Sequence, residues 1–347
     1  MERRKVQQLG GSTLAVSLPR EWVEENGVEK GDEVYIPVNR GSLRVVAKSG
    51  LQDQTTATIH AKDLGEDAVE RAIIAQYVLG QRTIQITHTD GTLTDGHING
   101  VYNAESQLMG LGIVEEATDN IVVRCSVDPA DFTLGELLEH LESIGRAMRD
   151  DAMKALAYSN ADLVQNVASR ERQANRIFVL LLRLIYTGYQ NPLVAQKICL
   201  EDDLSLIAYR SLAKNLELTA DSSQGLAEIA VEIDQRGVDI DQATMREIHR
   251  LVDRIDEIAT ESVTAAIERD YDLAMTPRER FETIMDHKNA ILEDLEGTNA
   301  EAVAYARDVL VRLRQIAEYS LRNAEIAANL AMVSDSRYVS IGDRTDP

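Results

Sequence analysis

From residue 132 onward apolar side chains return every three or four positions, the spacing that gathers them on one face of a helix. Leu134, Leu137, Leu138, Leu141, Ile144, Met148, Ala152 and Leu156 mark a first helix ending near Tyr158, and residues 160–187 a second. Gly188, Asn191 and Pro192 break the pattern. Ile198, Leu204, Ile207, Leu212, Leu216, Leu226 and Ile233 then carry a third helix over 193–235. The cycle repeats: Met245, Ile248, Val252, Ile255, Ala259 and Val263 define a fourth helix, Thr276-Pro277 opens a fifth that Gly297 ends, and Asn299 begins a sixth. Two short helices and one long one, twice over, predict a pair of three-helix bundles.

The residues repeat as well as the periodicity. Glu217-Leu-Thr-Ala-Asp221 and Gly225-Leu-Ala-Glu-Ile-Ala230 match Arg314-Gln-Ile-Ala-Glu318 and Arg322-Asn-Ala-Glu-Ile-Ala327 at a constant offset of 97. Equivalent positions in the third and sixth helices point to an internal duplication.

Ahead of the helices the period changes. Residues 55–60, 83–87, 113–116 and 121–127 read as strands; helical stripes lie over 67–79, ended by Gly80, and around Ile98, Val101, Tyr102, Leu108 and Met109. The order β-α-β-α-β-β predicts a small, largely antiparallel sheet with helices on one face, as in ferredoxin-like or ACT-like folds. The first 48 residues read as short strands. Residues 6–9 and 13–18 flank Gly10-Gly11, a short helix over 20–26 lies between Pro19 and Gly27, and turns at Lys30-Gly31-Asp32 and Asn39-Arg40-Gly41 precede strands at 34–38 and 43–47. So short a unit buries little core alone, so a dimer is expected. The expected division is 1–48, 49–130, 131–237 and 238–335, with a flexible tail over 336–347. The fold class is multidomain α+β: an N-terminal unit of short strands, a small α/β sandwich and a C-terminal pair of three-helix bundles.

Charge sharpens the picture. The 347 residues carry 58 acidic and 36 basic side chains, a net −22, and only eight of the basic ones are lysine. That surface suits a halophilic cytoplasm, where salt screens self-repulsion. Residues 1–48 nevertheless sum to +1 and begin Arg3-Arg4-Lys5, which makes them the segment a polyanion could approach. The longest apolar run, residues 177–182, cannot span a bilayer, and the N-terminus lacks the apolar centre of a secretory signal, so a cytoplasmic protein that is not membrane-embedded is expected. Cys125 and Cys199 form no CxxC, and His60, His88 and His97 form no HxH or HxxxH pair, so these histidines are expected to be solvated or capping. No P-loop, HExxH, GxSxG or GxGxxG occurs, which argues against an enzyme. Glu217 and Asp221 do stand one helical turn apart, as do Glu171 and Asn175; paired carboxylates in that register can share a cation or answer arginines.

Two resemblances follow. Arg4-Lys5-Val6, Leu9-Gly10, Val16-Ser17-Leu18-Pro19, Gly27, Gly31-Asp32, Gly41 and Leu43 resemble the AbrB/SpoVT family, which implies a swapped-hairpin barrel dimer that binds DNA through Arg3, Arg4, Lys5 and Arg20. Gly11, Glu24 and Glu25 stand where that family often has basic residues. Arg170-Glu171, Asn175-Arg176, Phe178, Leu180-Leu181 and Arg183, together with the ExxxD pairs, resemble PhoU proteins, the phosphate-uptake regulators. That likeness implies candidate sites for a divalent metal or iron at Glu171, Asn175, Glu217, Asp221 and Glu318. The combined order is similar to archaeal, in particular haloarchaeal, PhoU-type regulators with an AbrB-like N-terminus. It implies a homodimer or higher oligomer that restrains phosphate uptake through promoter DNA or a subunit of the phosphate ABC transporter. The alternative is an adaptor whose N-terminal barrel only dimerises.

Overall fold

Gly10, held at φ 74°, turns β1 (Gln7–Leu9) back onto β2 (Thr13–Ala15), with Gln7 opposite Ala15. The computed structural model describes residues 3–39, 42–47, 56–89, 91–198, 203–295 and 299–334. After the six-residue helix α1 (Arg20–Glu25), β3 (Val34–Tyr35) pairs with β6 (Val46–Ala47) and β4 (Val38–Asn39) with β5 (Ser42–Leu43), one hairpin nested in the other. The strands are shorter than their alternation predicts, because one chain offers each of them a single partner. Val6, Leu9, Leu14, Val16, Ile36, Val38 and Leu43 are consequently 51% to 75% exposed. Such a concentration of exposed apolar side chains marks a surface that a monomer leaves uncovered.

The next sheet runs β7-β8-β10-β9, with β7 (Thr56–His60) parallel to β8 (Thr83–Thr87) and β10 (Asn120–Cys125) antiparallel to both β8 and β9 (Leu111–Glu116). Ile59, Ile84, Ile86, Ile121, Val123 and Cys125 form its buried face beneath α2 (Glu66–Val78) and α3 (Asp95–Gln107). The two helices approach so closely at Gly100 that a β-carbon there would stand 2.6 Å from the Glu66 carbonyl oxygen. Both helices lie on one face, as in the ferredoxin-like and ACT-like folds, but the likeness ends at the layers. The ferredoxin-like order is β-α-β-β-α-β, whereas here the parallel pair sits at the sheet's edge and the hairpin comes last.

The remaining helices are α4 (Leu134–Tyr158), α5 (Ala161–Gln190), α6 (Pro192–Lys197), α7 (Asp203–Arg236), α8 (Gln242–Glu268), α9 (Tyr271–Asp294) and α10 (Ala300–Ser334). Two expectations are corrected. The third helix is not continuous over 193–235: Asn191 caps a separate one-and-a-half-turn α6, with its side chain accepting from the Leu193 N–H. The fifth helix opens at Asp270, whose carboxylate accepts the Leu273 N–H at 3.0 Å, so Pro277 falls inside α9 instead of at its start. Arg269, at φ 54°, has already ended α8, which leaves Asp270 as the first capping side chain available. Gly297 and the tail over 336–347 lie outside the described residues.

One apolar core runs through α4, α5 and α7 to α10. The duplication is visible where α7 and α10 cross. Asn215 donates to Asn323 at 2.8 Å, and a β-carbon at Gly225 would lie 2.8 Å from Arg312 Nε. Advancing residue 225 by the repeat offset and moving 312 back by it turns the second contact into the first, to within one residue. The two contacts lie on either side of the buried Ala220 and Ala317.

Candidate functional site

The helical register of α5 puts Glu171 and Asn175 one turn apart, and Glu171 comes within electrostatic reach of α7, which presents Glu217 and Asp221 in the same register. Three carboxylates thus come within electrostatic reach of one another. Partial burial, then Asp221 and more weakly Glu217, push the Glu171 carboxyl above its usual range, and Arg172 opposes them. Partial burial and Glu217 raise Asp221 in the same way, against Lys214. Lys214 is already engaged, ion-paired to Glu217 with its ammonium 5.4 Å over the Phe178 ring.

Glu318, the repeat equivalent of Asp221, stands in a different setting. Arg314 replaces the glutamate one turn before it and holds Glu318 at 2.8 Å. Among the described residues, no three carboxylate, histidine or cysteine groups converge as a metal-ligand set. The five candidate metal positions therefore do not fit a metal as arranged: Lys214 occupies Glu217, Arg314 occupies Glu318, and Asn175 brings an amide. The arrangement is an acidic patch with elevated proton affinity. Asp221→Asn is expected to stabilise the fold slightly at neutral pH, by at most ~1 kcal/mol for so exposed a group. Because the folded-state value lies above the unfolded one, the penalty grows as pH rises through the interval between them. Thermal melts should show the gain shrinking as pH falls from the raised folded value towards the ordinary aspartate value, and absent below it.

At the other end of the chain Arg3, Arg4 and Lys5 precede β1 and are exposed. Arg20 opens α1 and pairs with Glu24 at 2.7 Å, so part of its charge is answered locally. His97 proves to be a capping histidine: its Nδ1 accepts the Thr94 N–H at 3.2 Å while Nε2 meets the Leu64 carbonyl at 2.8 Å.

Two arginines that periodicity does not single out hold the assembly together. Arg183 of α5, 6% exposed, donates to the carbonyls of Tyr77, Gly80 and Gln81 at the end of α2, and its guanidinium lies 4.7 Å over the Tyr77 ring. A cation at a helix C-terminus meets the negative end of its dipole. Arg149 of α4, with no exposed surface, meets Asp256 of α8 at 2.6 Å and Glu142 at 3.9 Å. Thr260 donates to Glu142 at 3.2 Å. The available signal was a charged pair, Glu142 and Arg149, falling two turns apart on the apolar stripe of the first helix.

Residues 138–230, which contain this acidic patch, match the family model for the PhoU domain. Residues 7–53 match the model described as antidote-toxin recognition MazE, bacterial antitoxin, so the chain carries a MazE/AbrB-like N-terminal domain ahead of a PhoU domain. The crystal structure of PhoU from Pseudomonas aeruginosa is similar in fold, with a TM-score of 0.50, 17% identity, and coverage of 58% of this chain and 96% of that one. No curated protein matches the chain. No helix among the described residues is long and apolar enough to cross a membrane.

Proposed function

We propose that the chain is a dimeric negative regulator of phosphate uptake. The observation that carries this reading is the union, in one polypeptide, of a PhoU-domain helical array with an N-terminal β unit whose apolar side chains lie open. In this reading residues 1–48 dimerise, 49–130 join that unit to the helices, and 131–237 and 238–335 are the paired bundles. A second copy would cover Val6, Leu9, Leu14 and Val38 and close a swapped-hairpin barrel, placing two sets of Arg3, Arg4, Lys5 and Arg20 in one particle. Regulation then runs through promoter DNA or through a subunit of the phosphate ABC transporter. The Arg20–Glu24 pair favours the second reading, an adaptor whose barrel only dimerises, because it removes cationic charge from the would-be DNA face.

Light scattering should give at least a dimer for the intact chain and a smaller particle after deletion of residues 1–48; a monomeric intact chain would sink the proposal for that unit. Promoter binding, where it occurs, should be lost on changing Arg3, Arg4 and Arg20 together to alanine. Co-purification from phosphate-replete and phosphate-starved cells separates the readings, since recovered promoter fragments support the DNA route and transporter subunits without DNA support the adaptor. Recovery of neither in either state would count against both.

A further inference from the structure

Between the end of α3 and the exposed side of α5 lies a groove of about 880 Å³. The half-buried Glu171 and Asn175 line it from α5, as do Ser169, Arg172, Gln173 and Arg176, the last four all exposed. These four fall at i, i+3, i+4 and i+7, which is one helical face. The opposite wall is Gln107 and Met109, and it is held in place: Gln107 donates to Glu70 of α2 at 2.8 Å, and the Met109 carbonyl accepts from Tyr77 at 2.8 Å.

The guanidiniums of this groove are among those on the helices that form no ion pair. Arg149, Arg170, Arg250, Arg280 and Arg314 each meet a carboxylate. Arg172 and Arg176 form no hydrogen bond or ion pair with any described residue, in a chain whose acidic side chains outnumber its basic ones by 58 to 36. Two planar forks, one turn apart and not hydrogen-bonded to any carboxylate, suit neighbouring phosphate groups, which they can grip bidentately. The groove's volume is in the range of small-molecule sites, and an inorganic phosphate would fill little of it.

We propose that this groove binds a small molecule bearing a di- or triphosphate, of nucleotide size. Arg172 and Arg176 hold the phosphates, the Ser169 hydroxyl donates to a further oxygen, and the Met109 wall covers the organic part. Two opposing charges are present. Glu171 also lines the groove, and the C-terminus of α3 carries a partial negative charge of about half a unit. The two guanidiniums exceed the Glu171 carboxylate and that half-charge together by only about half a unit, and Arg172 acts directly on Glu171. Because one wall belongs to the sheet unit and the other to the helical array, the ligand would favour the docked arrangement that Arg183 fastens two turns further along α5. The proposal stands independently of the phosphate-uptake reading.

The test is calorimetric titration of the intact chain with ATP, pyrophosphate, inorganic phosphate and adenosine, at a salt concentration where circular dichroism shows it folded. Saturable binding of ATP and pyrophosphate but not of adenosine is expected. Arg172→Gln with Arg176→Gln should weaken ATP at least about tenfold, since each charge-assisted contact is roughly twice as strong as a neutral one. Arg124→Gln with Arg307→Gln removes the same charge from two other exposed positions and should leave affinity within about twofold. Absence of binding by ATP and pyrophosphate at ~1 mM, which in free energy is about −4 kcal/mol, would overturn the proposal. So would equal losses in the two double variants, or inorganic phosphate binding as tightly as ATP.

Discussion

Replacing Arg149 by alanine is expected to lower the unfolding free energy by about 3 to 5 kcal/mol, among the largest effects of any single change in this chain. The side chain has no exposed surface and is the cation nearest the buried junction of α4 and α8, where Glu142 is 9% exposed and Asp256 lies 2.6 Å from the guanidinium. Removing the arginine leaves two carboxylates in a seam with Ile144, Met148, Ile255 and Ala259 nearby in sequence and buried. Urea denaturation should show the loss as a lower midpoint; a change under ~1 kcal/mol would mean that water reaches the seam and compensates.

Glu142→Gln is the informative companion. Burial pushes the Glu142 carboxyl upward, and Arg149 and the Thr260 hydroxyl only partly offset it. An acid whose folded value lies above its unfolded one binds more protons when folded, so its ionisation destabilises the fold progressively as pH rises from the ordinary glutamate range through the folded value. Glutamine escapes that penalty and keeps an acceptor for Thr260. The variant should therefore lose less than Arg149→Ala at every pH and gain on the wild type as pH increases.

The second large effect is expected at Arg183. Arg183→Met keeps much of the volume but withdraws the charged donors from the carbonyls of Tyr77, Gly80 and Gln81, at a cost of about 3 kcal/mol or more. The loss should be local first. Amide hydrogen exchange should rise at the end of α2 and around Met109, whose carbonyl takes the Tyr77 hydroxyl, before it rises in α7 or α10. Unchanged exchange at those amides, with an unchanged melting temperature, would show that the sheet unit is held to the helices by apolar contact alone.

The helices were legible because each buries a stripe, and a stripe leaves its period in the sequence; α4 ends at Tyr158 as the apolar spacing predicts. Breaks were legible where a side chain competes with the helix, as at Asn191, and were misread where a cap outranked a proline, as at Asp270 before Pro277. The partners of Arg183 and Arg149 were not legible. Periodicity reports that a face is buried and says nothing of which face it meets, and these contacts join residues more than 100 positions apart. The two sides of the acidic patch were found separately, from the i, i+4 registers of α5 and of α7. Their coupling depends on how α5 lies against α7, a fact of packing. The short N-terminal strands were seen, and their exposed apolar side chains agree with the expectation that this unit lacks a core of its own.

The proposed role is tested most directly by the rate at which phosphate-replete cells take up labelled phosphate when the gene for this chain is deleted and then restored. A negative regulator predicts faster uptake in the deletion, returned to the original rate by the intact chain but not by one lacking residues 1–48. Uptake unchanged by the deletion would contradict the account.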